Sequence, residues 1–219
     1  IEARGQRPAR LHYRRTFWLF VIGMAHAYLL WSGDILVTYA LCSTVVFLVR
    51  GWRPRTLLVV GIAVLAVGSL LSLMSGLSLP WWPAEDIAAM REQWNPSAAA
   101  LSADLNAYRG GWVEQMASRA ASAYDLQTTA FIFVLGWRAA GLMLIGMALY
   151  KLQVLTGQRS VAFYRRLALV GAALGLPLIS VGIVRNFAVG WSLEYSMFLG
   201  SQFNYWGSLA IAMAWLGLV

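Results

Sequence analysis

The sequence is poor in charge and almost without cysteine. Only 12% of its residues are Asp, Glu, Lys or Arg, whereas soluble domains carry roughly a quarter. The single cysteine, Cys42, lies inside an apolar run. That excludes an internal disulfide and a cysteine-only metal site, and Cys42 reads as a small buried hydrophobe. Soluble-enzyme signatures are also missing. There is no Walker loop, no dinucleotide fingerprint, no HExxH and no GxSxG, and no metal is expected. Neither flank reads as a signal peptide. The chain opens on Ile1 in a polar basic stretch and closes inside an apolar run. Further sequence is expected at both ends.

What is present is apolar length. Hydrophobic residues make up 60% of the 219. The runs Leu57 to Leu79 and Thr128 to Tyr150 hold one charge between them, Arg138. Runs of ~18 or more such residues read as membrane spans. Six segments are expected: 17–32, 35–49, 57–79, 128–150, 166–186 and 202–219. The fold class is therefore all-α, a polytopic helical membrane protein forming one membrane domain. The first two segments are short and separated only by Gly33-Asp34, so they form a tight helical hairpin whose turn can sit below the membrane surface.

The net charge of +8 follows from topology. Residues 1–15, 50–56 and 151–166 hold 12 of the 17 Lys and Arg and a single acid, Glu2. The alternate loops hold Arg91, Arg109, Arg119, Arg185 and the other eight acids. An excess of Lys and Arg marks the cytoplasmic side. Residues 1–15 are thus expected in the cytoplasm and the loop 80–127 outside. Basic residues that flank spans contact anionic lipid headgroups, and no nucleic-acid partner is expected.

The outer loop carries Trp81, Trp82, Trp94, Tyr108 and Trp112, which suit a membrane interface. Asn95-Pro96 reads as a helix start. A second helix is expected from Trp112 to Tyr124, so two short helices form an anchor or a lid. Gly61, Gly68, Ser72 and Ser75 fall on one helical stripe, and Gly171, Gly175 and Gly182 on another. Such stripes allow close packing in lipid, and Pro177 is expected to kink its helix.

Ionisable residues at membrane depth are the functional candidates. His26 lies about 9 Å down its helix from Ser32, with Gly23 on its face and Ala25 and Ala27 beside it. It reads equally as a general base and as a core histidine bonded to a neighbouring helix. Asp34 reads as a helix cap or as a catalytic or cation-binding group, with His26 and Arg185 as partners at its depth. Arg138 sits about 15 Å into its span. It either holds an anionic or carbonyl-bearing ligand or joins a buried ion pair. Arg14, Arg15, Arg165 and Arg166 read as topology signals, with phosphate binding as the alternative.

Two blocks carry a family resemblance. The first is Arg14-Arg15-Thr16-Phe17, Gly23-Met24-Ala25-His26-Ala27, Leu30-Trp31-Ser32-Gly33-Asp34-Ile35-Leu36 and Tyr39-Ala40-Leu41. The second runs from Gly141 to Tyr150 and continues at Phe163-Tyr164-Arg165-Arg166 and Gly175-Leu176-Pro177. Together they resemble the YeiB-like bacterial inner-membrane family, domain of unknown function 418. That family is distantly similar to transmembrane acyltransferases, including the lysosomal enzyme that acetylates heparan glucosamine.

The resemblance implies transfer of an acyl group from cytosolic acyl-CoA to an acceptor on the far side of a bacterial inner membrane. His26 and Asp34 would then be catalytic, and Arg138, Arg185 and Trp31 would contact substrate. Arg14, Arg15, Arg165 and Arg166 would hold the CoA phosphates. Membrane lipids, acyl-CoA, a small-molecule acceptor and a second copy of the chain are the expected partners. Two other classes stay open: a transporter of a small anion or metabolite, and a non-catalytic membrane subunit.

Overall fold

The computed structural model describes residues 8–218. The described residues contain helices and no strand. Of the expected cytoplasmic segment 1–15, residues 1–7 lie outside the description, as does Val219.

Helix α1 (Pro8–Ala25) starts on a proline, which suits a first helical position. It ends in a wider π turn, His26–Leu30. Helix α2 (Leu36–Val46) follows a short break and finishes in a 3₁₀ turn, Phe47–Val49. Helix α3 (Pro54–Ser78) stops at Leu79-Pro80, where proline disfavours the helical conformation of the residue before it. Three shorter helices come next: α4 (Ala84–Trp94), α5 (Ala98–Arg109) and α6 (Met116–Gln127). Helix α7 (Gly136–Lys151) is preceded by a π turn, Phe131–Leu135. Helix α8 (Val161–Ala188) is capped by Ser160, whose Oγ accepts the Phe163 N–H at 3.2 Å, and runs through Pro177 as one helix. A short turn α9 (Leu193–Tyr195) and a π turn, Ser196–Gly200, lead into α10 (Ser201–Leu218).

Among the described residues, three helical stretches are long and apolar enough to cross a membrane: Pro54–Trp81, Met116–Lys151 and Val161–Ala188. Of the segments expected at 17–32, 35–49 and 202–219, residues 17–30, 36–49 and 202–218 are also helical, but these stretches are shorter or more polar. The loop 80–127 differs from expectation. It holds three helices rather than two, because Pro83 followed by Glu85 and Asp86 in the first turn starts α4, where acids suit the helix dipole. Asn95 consequently ends α4 instead of starting α5.

The described residues form two compact units, divided between Gly68 and Ser69 inside α3, between Ser97 and Ala98, and between Ala148 and Leu149. The first comprises the residues up to Gly68 and Ala98–Ala148. Its core joins Val46, Leu57, Leu144 and Ala148, with Val64 and Met147 packed around them. Gly61 and Gly141 let α3 and α7 meet backbone to backbone. A Cβ on Gly141 would lie 2.9 Å from the Gly61 carbonyl oxygen.

The second unit comprises Ser69–Ser97 and the residues from Leu149 onward. Here α8 and α10 pack antiparallel. Gly171 faces Ala210 and Ala214, Gly175 faces Gly207 and Ile211, and Gly182 faces Phe203. A polar layer crosses to α3. The Ser69 hydroxyl donates to Gln202 at 2.6 Å and accepts the Trp206 indole N–H at 3.1 Å. Gln202 donates to the Ser72 hydroxyl at 3.2 Å. In lipid, small residues and interhelical hydrogen bonds bring helices together, because apolar side chains gain nothing by leaving lipid for protein.

Candidate functional site

The α1–α2 hairpin builds the site. Gly23 brings the helices together, since a Cβ there would lie 2.8 Å from the Val37 nitrogen. The chain then turns over residues 31–35. Trp31 folds back over Gly33, where a Cβ would lie 2.6 Å from the exposed ring and would push it aside.

The turn places Asp34 against His26. His26 Nδ1 lies 2.7 Å from Asp34 Oδ2. An ionised carboxylate only accepts, so Nδ1 carries the proton at this contact. In the neutral imidazole Nε2 then keeps a free lone pair. The other carboxylate oxygen, Oδ1, accepts the Val37 N–H at 3.1 Å, so Asp34 also closes the first turn of α2. The Asp34 side chain is 1% exposed and that of His26 33%. The pair therefore has a sealed end and an open end. Trp31 stands edge-on to the imidazole, with ring centroids 6.2 Å apart, and is itself exposed.

The π turn gives His26 its setting. Trp31 N–H bonds the His26 carbonyl oxygen at 2.8 Å in the wide pattern, and π turns occur frequently at functional sites. A helix end leaves carbonyls without intrahelical donors. Leu29 is one of them, and the loop 80–127 supplies its donors. Trp112 Nε1 reaches the Leu29 oxygen at 2.7 Å and Arg119 Nη1 at 2.9 Å. Arg119 is only 5% exposed and also donates to the Gln115 side chain. On the same helix, Gln127 accepts from the Tyr28 hydroxyl at 3.4 Å. Helix α6 thus caps the end of α1, a few residues from His26.

Neither Arg119 nor Trp112 is a candidate from sequence. Arg119 counts there only as one of a few outer-side cations, and Trp112 only as an interface aromatic. Their common partner is a main-chain carbonyl, which carries no side-chain signal.

Asp34 takes His26 and the Val37 N–H; Arg185 is exposed in the last turn of α8, in the second unit, where a cation suits the helix dipole. Arg14 and Arg15 are exposed on α1, and Arg165 and Arg166 are exposed in the first turns of α8. Arg138 lines an open groove between α2 and α7.

The far end of the hairpin holds a second polar cluster that hydropathy alone does not mark. His12 Nε2 lies 3.2 Å from the Ser43 carbonyl oxygen, Thr16 Oγ1 lies 3.3 Å from the Ser43 hydroxyl, and the His12 ring stacks on Phe47 at 4.0 Å.

Comparison with known proteins supports the family resemblance. The family described as a protein of unknown function, DUF418, matches residues 149–219. The uncharacterized protein YeiB of Escherichia coli (strain K12) is 30% identical over 195 residues, which is 88% of this chain and 49% of YeiB. The uncharacterized protein YxaH of Bacillus subtilis (strain 168) is 45% identical over 58 residues, 26% of this chain and 14% of YxaH. The chain thus spans about half the length of YeiB and a smaller part of YxaH. No solved structure gives a significant match. With a match to YeiB along most of its length and the family's pattern over its C-terminal part, the chain belongs to the YeiB-like DUF418 family of proteins of unknown function.

Proposed function

We propose that His26 and Asp34 are the base and its orienting partner in a membrane-embedded acyltransferase. The observation that carries this reading is the 2.7 Å contact between His26 Nδ1 and the sealed carboxylate of Asp34. A carboxylate behind one ring nitrogen sets the tautomer and supports the imidazolium that forms when the other nitrogen takes a proton. The acceptor is a hydroxyl or amine. Its oxygen or nitrogen bonds to the acyl carbon as Nε2 takes its proton. The C–S bond of the thioester then breaks, and the imidazolium returns the proton to the departing CoA thiolate. Trp31 borders the acceptor. The exposed pair Arg14-Arg15, in the same unit as the hairpin, suits CoA phosphates, which arginine binds well.

The test is release of free CoA from acyl-CoA by the purified protein, with and without hydroxyl and amine acceptors. His26→Ala is expected to lower the rate by roughly a hundredfold or more, the usual worth of a general base. Undiminished release by that variant removes the proposal. Uptake of an anion into proteoliposomes without any CoA release replaces it with transport.

A further inference from the structure

The acyl transfer proposed for His26 and Asp34 takes no step at the groove beside Arg138, a residue that the family resemblance alone assigned to substrate. It lies in the first unit and holds about 390 Å³, within the range of small-molecule sites. Ile35 and Tyr39 of the α2 side and Leu142 and Met143 of α7 form apolar walls, and Thr38 and Arg138 are its polar members. From Leu135 to Met143 the groove follows α7 for about 12 Å. It is a slot for one narrow apolar chain with a cation on its wall.

Depth narrows the occupant. Arg138 belongs to the stretch Met116–Lys151, which is long and apolar enough to cross a membrane. It stands ten residues past Thr128, about 15 Å in, near the middle of a ~30 Å hydrocarbon core. A phospholipid phosphate stays at the surface and does not reach that depth. An anion there must arrive on a chain that itself dissolves in the core, and must be paired once it arrives. A carboxylate fits the guanidinium fork through two parallel hydrogen bonds. Arginine has five N–H donors, so protein acceptors keep theirs.

We propose that this groove binds a free fatty acid, with its chain along Leu142 and Met143 and its carboxylate on Arg138. The site is independent of the acyl-transfer reading.

The test uses the protein in phosphatidylcholine nanodiscs, with a photoactivatable fatty acid bearing a diazirine on its chain. Labelled peptides are mapped by mass spectrometry, and straight-chain carboxylates of rising length compete. Labels are expected on α2 and α7. Competitors added from water gain about fourfold per added CH₂ simply by entering the bilayer, so competition is compared at equal mole fraction in the nanodisc, where chains that fit the slot should displace the probe and longer ones should not improve on them. Arg138→Gln should weaken every length by roughly ten- to a hundredfold. Leu142→Trp, which fills the slot, should remove the labels on α2 and α7 at the same mole fraction of probe.

Labels spread evenly over exposed helix faces would overturn the site, even if both variants failed to fold. So would equal competition by phosphatidylglycerol. No acyl donor or acceptor is present in the assay, so failure of the groove and failure of acyl transfer register separately.

Discussion

Asp34 uses its two carboxylate oxygens for two tasks, and substitutions separate them. An asparagine side chain at this position keeps an oxygen for the Val37 N–H, whereas an alanine side chain does not. Asp34→Asn is therefore expected to keep its melting temperature while CoA release falls roughly a hundredfold. Asp34→Ala should lose release and also about 1 kcal/mol of stability, the usual cost of a lost cap. Parallel melting curves and CoA assays check both. Arg119 offers a second residue-scale prediction. Arg119→Met leaves the apolar volume but withdraws the charged donor from the Leu29 carbonyl, and should cost about 2 kcal/mol in reversible unfolding. The His26–Asp34 contact is open to sequence reading because the two lie eight residues apart on one hairpin. Arg119 and Leu29 are ninety residues apart, and no local pattern joins them.

Between elements, glycine decides where helices touch. A Cβ on Gly171 would lie 2.6 Å from the Ala214 nitrogen, whereas one on Gly146 meets nothing within 4 Å. Gly171→Ala should destabilise by about 1–3 kcal/mol through overpacking, while Gly146→Ala should stabilise by up to about 1 kcal/mol through helix propensity. Unfolding in mixed micelles distinguishes them. The stripe on α8 is visible in the sequence, but its partner helix is not.

Helix α4 is held differently, at the surface of the second unit. Arg91 Nε donates to Glu194 at 2.9 Å, and Trp94 Nε1 donates to the Trp191 carbonyl oxygen at 2.8 Å. Glu194's own backbone N–H, and then Arg91, hold its carboxyl below the usual value. A depressed acid contributes above its unfolded pKa of about 4.3, and that contribution is lost as pH falls through the lower folded value. The pair is exposed, so its worth is at most about 1 kcal/mol. A spin-label pair at Met90 and Val189 should keep its distance down to about pH 5 and broaden below the folded value of Glu194. Glu194→Gln should show no such step.

The whole molecule exposes apolar side chains on a scale that fits lipid. Leu169 is 72% exposed, Leu218 70% and Val59 67%, a surface that water would not tolerate over so many helices. The distribution of Lys and Arg predicts how the chain is threaded. Because Cys42 is buried, introduced cysteines report with little background. An impermeant maleimide added outside intact cells should label Ser102→Cys on α5 and spare Gln158→Cys between α7 and α8. The reverse pattern would invert the topology.

Sequence alone determined the helical class, the apolar segments and the short-range hairpin, because each depends on runs and spacings within about thirty residues. It also marked His26, Asp34 and Arg138, since a charged or titratable group within an apolar run is conspicuous. Only tertiary structure decided what those groups meet. It seated the outer loop's Arg119 and Trp112 on the Leu29 carbonyl, and it opened a slot beside Arg138. These outcomes depend on which main-chain atoms a helix end leaves unpaired and on how α2 lies against α7. Both are set by distant residues, and neither leaves a periodic trace in the chain.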